Sequence, residues 1–285
     1  MFKLVATDMD GTFLDANGTY DKKRLQKVLA GFKEKGILFV AASGRSLLAL
    51  EDLFSDFRDQ MAFVAENGSA LVVDGDLTFE EHLTKEQYLE ITQLLTSSPY
   101  MNGHDYLLSG KNGAYVHQDA SDDYVTFISN YYENVQRVPS FEEVDDVIFK
   151  LTANFTAETV REGEKWVTER LSYANAVTTG FQSIDVILNT VTKRTGLEAL
   201  CEQLHIKQEE VLAFGDNLND YEMLEFAGTA IATDNARDEI KAISQEVIGP
   251  CEDASVMTYM EEIIANLAGR PFTLAIYQPR TLLQA

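Results

Sequence analysis

Two carboxylates stand two residues apart, Asp8 and Asp10, in the stretch T-D-M-D-G-T-F-L-D that runs from Thr7 to Asp15. The apolar run Phe2-Lys3-Leu4-Val5-Ala6 precedes them directly, so both fall where a buried strand should end. Like charges crowded at such a point repel unless a cation sits among them. Hard carboxylate oxygens with room left for a phosphate suit Mg²⁺. A carboxylate beside such a cation can attack phosphorus, and a neighbouring acid can move the proton of the leaving oxygen. Gly11 and Thr12 follow at once; a glycine there lets backbone N–H groups approach phosphoryl oxygens closely.

In open α/β sheets the working residues collect beyond the carboxyl ends of the strands. The other strand ends supply a consistent set: Ser43-Gly44-Arg45, Glu66-Asn67-Gly68 and Gly215-Asp216-Asn217-Leu218-Asn219-Asp220. Thr192-Lys193-Arg194 adds cations at the start of a helix. Asp216 completes a set of oxygen ligands with Asp8 and Asp10. Lys193 and Ser43 are candidates to hold phosphoryl oxygens, and together with Mg²⁺ and backbone donors they could stabilise charge as it redistributes.

The elements that position this set alternate between strand and helix. Leu4-Val5-Ala6 is a strand, and a helix is expected from about Asp21 to Lys35, where Leu25, Val28, Leu29 and Phe32 form one apolar face. Gly36 ends it, and Ile37 to Ala42 is apolar throughout, as in a parallel sheet covered on both sides. A helix near Leu47–Phe57 and a strand at Ala62–Ala65 follow. The alternation returns from Lys193 with strands at Val211–Phe214 and Ala230–Ala232, and helices over Tyr221–Phe226, Ala236–Ile243 and Val256–Leu267. This predicts an α/β fold with a doubly wound parallel sheet.

The middle differs. Helical patterns near Lys85–Leu95 and Ala157–Leu171 are separated by strand-like pieces at Tyr106–Leu108, Ala114–Val116, Val147–Leu151 and Ser183–Ile187, with a hairpin signal at Asn112-Gly113. Residues 84–187 therefore read as an inserted α+β domain, and 1–83 with 188–285 as the core. The apolar tail from Gly269 carries Pro271 and Pro279 and is not assigned a packing partner.

The chain has 285 residues and a formal net charge of -23. Such an acidic surface argues against nucleic-acid and anionic-membrane partners and requires a locally positive site for any anionic substrate. Cys201 and Cys251 lack a CxxC spacing and read as packing residues. The start lacks a signal-peptide layout and no run is long enough to span a membrane, which predicts a cytoplasmic protein.

The ordered motifs from Asp8 to Asp220, with the insertion after the third core strand, resemble the haloacid dehalogenase superfamily, specifically its Cof-type phosphatases with a type IIB cap. The resemblance covers nearly the whole chain. It implies a Rossmann-like core with an α/β cap domain, and Mg²⁺-dependent hydrolysis of small phosphate monoesters through an aspartyl-phosphate. Sugar phosphates or related metabolites are the expected substrates. DxDGT is matched by Asp8-Met9-Asp10-Gly11-Thr12, making Asp8 the implied nucleophile. Asp10 is the implied general acid/base, its backbone carbonyl also a metal ligand. Asp216 is implied as a direct ligand and Asp220 as a closely associated or water-mediated one. Gly11, Thr12, Ser43, Gly44, Arg45, Asn67, Lys193 and Asn219 fall on the phosphate and substrate side. In the stretch after the last motif, Ala232-Thr233-Asp234-Asn235-Ala236 departs from the family pattern and adds an acid.

Each signal also has a plainer reading. Ser43 is placed to cap the following helix, Lys193 alone reads as a surface lysine, and Asn67-Gly68 as a turn. His82, His104, His117 and His205 show no ligand spacing. The acids Glu142, Glu143, Asp145 and Asp146 read as a solvated face or loop. Phe127, Tyr131, Tyr132 and Trp166 read as cap core. A phosphosugar mutase and a catalytically silent phosphometabolite-binding protein are the alternatives. The silent reading is disfavoured because Asp8, Asp10, Lys193 and Asp216 are all present.

Overall fold

The computed structural model describes residues 2–101, 103–179 and 182–267. The tail 269–285 lies outside them. In chain order the first elements are β1 (Leu4–Thr7), α1 (Lys22–Lys35), β2 (Leu38–Ala42), α2 (Leu47–Leu53), β3 (Ala62–Ala65), β4 (Ala70–Val73) and β5 (Asp76–Glu80). Next come α3 (Lys85–Ser97), β6 (Tyr106–Gly110), β7 (Ala114–His117), α4 (Asp122–Ile128), β8 (Val135–Val138), β9 (Ile148–Asn154), α5 (Val160–Thr168), β10 (Ala174–Thr178) and β11 (Ser183–Leu188). The chain closes with α6 (Lys193–Leu204), β12 (Val211–Gly215), α7 (Tyr221–Phe226), β13 (Thr229–Thr233), α8 (Asp238–Ile243), β14 (Glu246–Ile248) and α9 (Ser255–Leu267).

Contacts divide the chain into two compact units. The first holds Met1–Ala41, Asp59–Ala62 and the chain from Cys201. In it β1 is central, parallel to β2 with Leu4 opposite Leu38 and parallel to β12 with Leu4 opposite Val211. β13 and β14 continue the parallel array beyond β12. β1 is buried along its whole length, which is why its sequence is a continuous apolar run rather than an alternation. α1 begins at Asp21, whose carboxylate accepts from the Lys23 and Arg24 amides, and buries Leu25, Val28, Leu29 and Phe32. It packs against α9, where Arg24 makes two hydrogen bonds to Glu261 at 2.9 and 2.8 Å. The predicted parallel α/β arrangement is the one observed.

The second unit holds Ala42–Arg58 and Phe63–Leu200. β3, β4 and β5 pair antiparallel in succession. A separate sheet runs in the order β10-β11-β9-β6-β7-β8 and is antiparallel except for the β7–β8 pair. The predicted turn at Asn112-Gly113 joins β6 to β7. One face of this sheet carries Leu108, Leu151, Ala153, Ile184 and Val186 into a core with Tyr88, Ile91 and Leu95 of α3 and Val160 and Val167 of α5. A smaller cluster, Leu107, Val116, Tyr124 and Ile128, lies around α4.

Some predicted core residues depart from expectation. Phe127 and Tyr131 are exposed, 41% and 53%, their rings in contact with each other at 5.2 Å. α4 spans only seven residues, and it buries Tyr124 and Ile128 instead. Trp166 does pack against the larger of these clusters, with the Arg170 guanidinium over its ring. Asp146 is no solvated acid: it accepts from the Asn112 amides and the Tyr115 hydroxyl and closes the β6–β7 hairpin. Cys201 and Cys251 are buried free thiols. Among the described residues, no helix is long and apolar enough to cross a membrane.

Candidate active site

In the first unit, Asp8 follows the last residue of β1 and is 5% exposed. Its amide donates to the Phe214 carbonyl of β12 at 3.0 Å, which continues the parallel ladder one step past the strand. The chain then coils tightly. The Phe13 amide donates to the Asp8 carbonyl at 3.2 Å, and the Leu14 amide to that of Met9 at 2.9 Å. This coil buries Met9 and leaves Asp10 exposed. Gly11 has φ +85°, a conformation L side chains rarely adopt, and a Cβ there would sit 2.5 Å from Asp216 Oδ2. Thr12 donates from its hydroxyl to Asp216 Oδ1 at 2.9 Å.

At the end of β12, Asp220 is fully buried and its Oδ2 accepts from the amides of Asp216 and Asn217, both at 3.0 Å. The Asp216–Asp220 turn is therefore built around that carboxylate, and Asp216 is held at the strand end with its side chain beside Gly11. One carboxylate oxygen each from Asp8, Asp216 and Asp220 lies within 4.8 Å of the others. Three acids this close, two of them buried, fit a hard divalent cation, whose charge would offset their repulsion. Asp10 is outside this group of carboxylates; the resemblance assigns its backbone carbonyl, not its side chain, to the metal.

Sequence reasoning missed two residues here. Asn235 donates from Nδ2 to the Gly11 carbonyl at 2.7 Å, and the Thr233 hydroxyl does so at 3.3 Å. The acid singled out in that stretch, Asp234, is exposed and faces Lys241 at 3.8 Å instead. The rule that strand ends carry the work points to Thr233 and Asn235, because β13 ends at Thr233.

In the second unit, Ser43 is 1% exposed; its amide donates to the Val64 carbonyl at 2.8 Å and its carbonyl accepts from the Asn67 amide at 3.0 Å. Ser43 does not cap the next helix. Ser46 does, accepting from the Ala49 amide, while Ser43 Oγ accepts from the Arg45 amide at 3.1 Å. Arg45 is half-buried, and its carbonyl accepts from the Glu66 amide at 3.0 Å. Asn67 adopts a left-handed conformation, φ 58° and ψ 22°, within a 3-10 turn. Its Nδ2 donates to Asp185 Oδ2 at 3.1 Å.

Gly68 also has positive φ, and a Cβ there would lie 1.9 Å from the Thr192 carbonyl, so backbone meets backbone immediately before Lys193. Lys193 opens α6 and is fully buried, not the surface lysine its sequence context alone suggests. An ammonium withdrawn from water requires anionic or polar company. Gly44 and Asn219 lie on the loops after β2 and β12, Gly44 against the Asn67 side chain.

His104 and His117 come together despite their sequence spacing, with rings stacked at 4.5 Å, and Asp119 joins them.

Residues 5–260 match the haloacid dehalogenase-like hydrolase family. The chain is 33% identical over 267 residues to 5-amino-6-(5-phospho-D-ribitylamino)uracil phosphatase YbjI of Escherichia coli, covering 93% of this chain and 97% of that one. The structure of SMU.1108c from Streptococcus mutans superposes with a TM-score of 0.85 at 28% identity, covering 93% of this chain and 100% of that one. The subclass IIB sugar phosphatase BT4131 shares the fold, with a TM-score of 0.76 at 20% identity over 92% of this chain and 98% of that one.

Proposed function

The chain belongs to the haloacid dehalogenase-like hydrolases and is a phosphatase of small phosphorylated molecules; from that premise we propose that it hydrolyses phosphate monoesters through an aspartyl-phosphate on Asp8. The observation that carries this is the meeting of Asp8, Asp216 and Asp220 at the ends of β1 and β12, with Thr12 bonded to Asp216. Asp8, Asp216 and the Asp10 carbonyl would hold Mg²⁺, with Asp220 fixing the turn that presents Asp216. The cation would supply charge neutralisation at the phosphoryl oxygens.

Asp8 attacks phosphorus while Asp10, exposed to the substrate side, protonates the leaving oxygen. Asp10 then takes a proton from water as that water releases phosphate from Asp8. Lys193, Ser43 and the amides around Gly11 and Thr12 hold the phosphoryl oxygens, and Arg45, Asn67 and Asn219 face the substrate side. Residues 84–187 form the cap, and 1–83 with 188–285 the catalytic core. Sugar phosphates and related metabolites are the substrate class, and the ribityl phosphate ester named for the Escherichia coli relative belongs to it.

A phosphate-release screen over metabolite phosphates, with and without Mg²⁺, tests the proposal. Release of inorganic phosphate from hexose, pentose or ribityl phosphates only when Mg²⁺ is present is the expected result. An isomerised product without phosphate release, or no turnover of any compound, overturns it.

A further inference from the structure

Lys150 lies in the middle of β9, 2% exposed, with its ammonium inside the second unit. Nζ donates to the Gly44 carbonyl at 2.6 Å and to Asp185 Oδ2 at 2.8 Å, and lies 3.5 Å from Glu66 Oε2. Asp185 also accepts from the Thr152 hydroxyl at 2.7 Å and from Asn67 Nδ2 at 3.1 Å. Glu66 Oε1 accepts from Ser109 Oγ and the Leu47 amide, while its Oε2 accepts no hydrogen bond. The Tyr132 ring lies 5.8 Å from the ammonium, and its hydroxyl is bonded to Thr152.

One ammonium and two carboxyl groups are thus withdrawn from water on the sheet face opposite Leu108, Leu151 and Val186. Apolar residues of similar volume generally fill such a space at no loss of stability, so packing alone does not account for the charges. Their contacts do. Outside its own sheet the pair Lys150–Asp185 is hydrogen-bonded to the Gly44 carbonyl and to the Asn67 side-chain amide. These follow β2 and β3, and they touch each other: a Cβ on Gly44 would lie 2.9 Å from Asn67 Oδ1. Asn67 is also held in a left-handed conformation that an unrestrained side chain leaves readily.

We propose that Lys150 and Asp185 are positioning residues for the phosphatase reaction: Lys150 through the Gly44 carbonyl, and Asp185 through the Asn67 amide, fix the loops that present Ser43, Arg45 and Asn67. The proposal rests on the function assigned to those loops above. Lys150 and Asp185 themselves touch neither phosphate nor metal. Their strand neighbours Ser109 and Thr152 hold Glu66 and Asp185 in turn, so the cap sheet sets the geometry of two loops of the core sequence.

The test pairs hydrogen exchange with kinetics in Lys150→Met/Asp185→Asn, which removes one positive and one negative charge together, and in Asp185→Asn alone. The expected result has three parts. Exchange at residues 43–47 and 66–69 rises by about tenfold while β1 and β12 keep their protection. kcat on every substrate falls roughly 10- to 100-fold. The inhibition constant for inorganic phosphate rises by a similar factor on each substrate, while the thermal midpoint of Asp185→Asn falls because the buried Lys150 ammonium loses its nearest counter-ion. Wild-type exchange and kinetics in the folded double variant overturn the proposal, as does raised exchange with unchanged kcat. If the double variant does not fold, Asp185→Asn decides by the same readouts. If the wild-type protein hydrolyses no monoester, the functional reading fails, and the exchange arm still decides whether the pair fixes the two loops.

Discussion

The Thr12 hydroxyl and Asp216 Oδ1 are 2.9 Å apart although the residues are separated by 204 positions in the chain. The bond joins the loop after β1 to the turn after β12, the two places where the carboxylates meet. A Thr12→Val substitution keeps the shape and removes the donor. Partners of this kind orient a ligand and typically contribute 10–100-fold to metal affinity or activity. We expect the Mg²⁺ concentration for half-maximal rate to rise about tenfold, measured by titrating Mg²⁺ into chelator-treated protein during phosphate release.

Asp8→Asn retains volume and most hydrogen bonding but is no nucleophile. Hydrolysis of p-nitrophenyl phosphate should fall by at least ~10³-fold with an unchanged circular dichroism spectrum. Full activity in that variant would remove Asp8 from its assigned role.

Gly68→Ala places a methyl group against the Thr192 carbonyl at a φ of +107°. Strain and clash together should destabilise the fold by about 3 kcal/mol, read as a lower urea midpoint with unchanged slope. Because the clash falls next to Lys193, activity should drop in the fraction that remains folded.

Glu66 carries the clearest pH signature. Burial raises its carboxyl pKa above the ordinary carboxylate range, and the nearby Lys150 ammonium only partly opposes this. Lys150 lies 2.8 Å from Asp185 but 3.5 Å from Glu66. A carboxyl with a raised pKa binds its proton more tightly in the folded state than in the unfolded chain. Its contribution is therefore complete below the unfolded value of 4.5 and is lost as pH rises through the raised folded value. Glu66→Gln is a permanent neutral stand-in. Its stability relative to wild type should increase as pH rises from 4 through 7, measured by urea unfolding at each pH. A constant difference across that range would show that Glu66 does not titrate there.

Much of the fold was legible because its signals are local. The apolar run of β1, the one-sided face of α1 and the turn at Asn112-Gly113 each follow from neighbouring residues. The carboxylate set was legible for a different reason: strand ends mark one crevice whatever the loops between them do. Long-range placement was not legible. Nothing near Lys193 in sequence announces its burial, and the partner of Asp146 is a turn more than thirty positions earlier. β4 and β5 went unread because Val72-Val73-Asp74-Gly75 and its flanks look like a loop on the way to the insertion. α4 is too short for helical periodicity to register, and it led to the wrong expectation for Phe127 and Tyr131. Lys150 and Asp185 did leave a trace: each is a charge inside an otherwise apolar strand, which the search for strand-end chemistry passed over.

The pairing of β1 with both β2 and β12 has a consequence for how the chain is made. Synthesis proceeds from the N-terminus, and domains fold as their residues emerge. Every strand of the sheet from β6 to β11 has been made by Leu188, so that sheet can close while the chain is still growing. β1 can meet β2 early, but its other edge has no partner until Val211 and Phe214 appear. Until then Asp8 sits on an open, apolar edge, the kind of surface that templates aggregation. A nascent or truncated chain ending before Val211 therefore exposes the strand proposed to carry the nucleophile, and β12 acts as its cover.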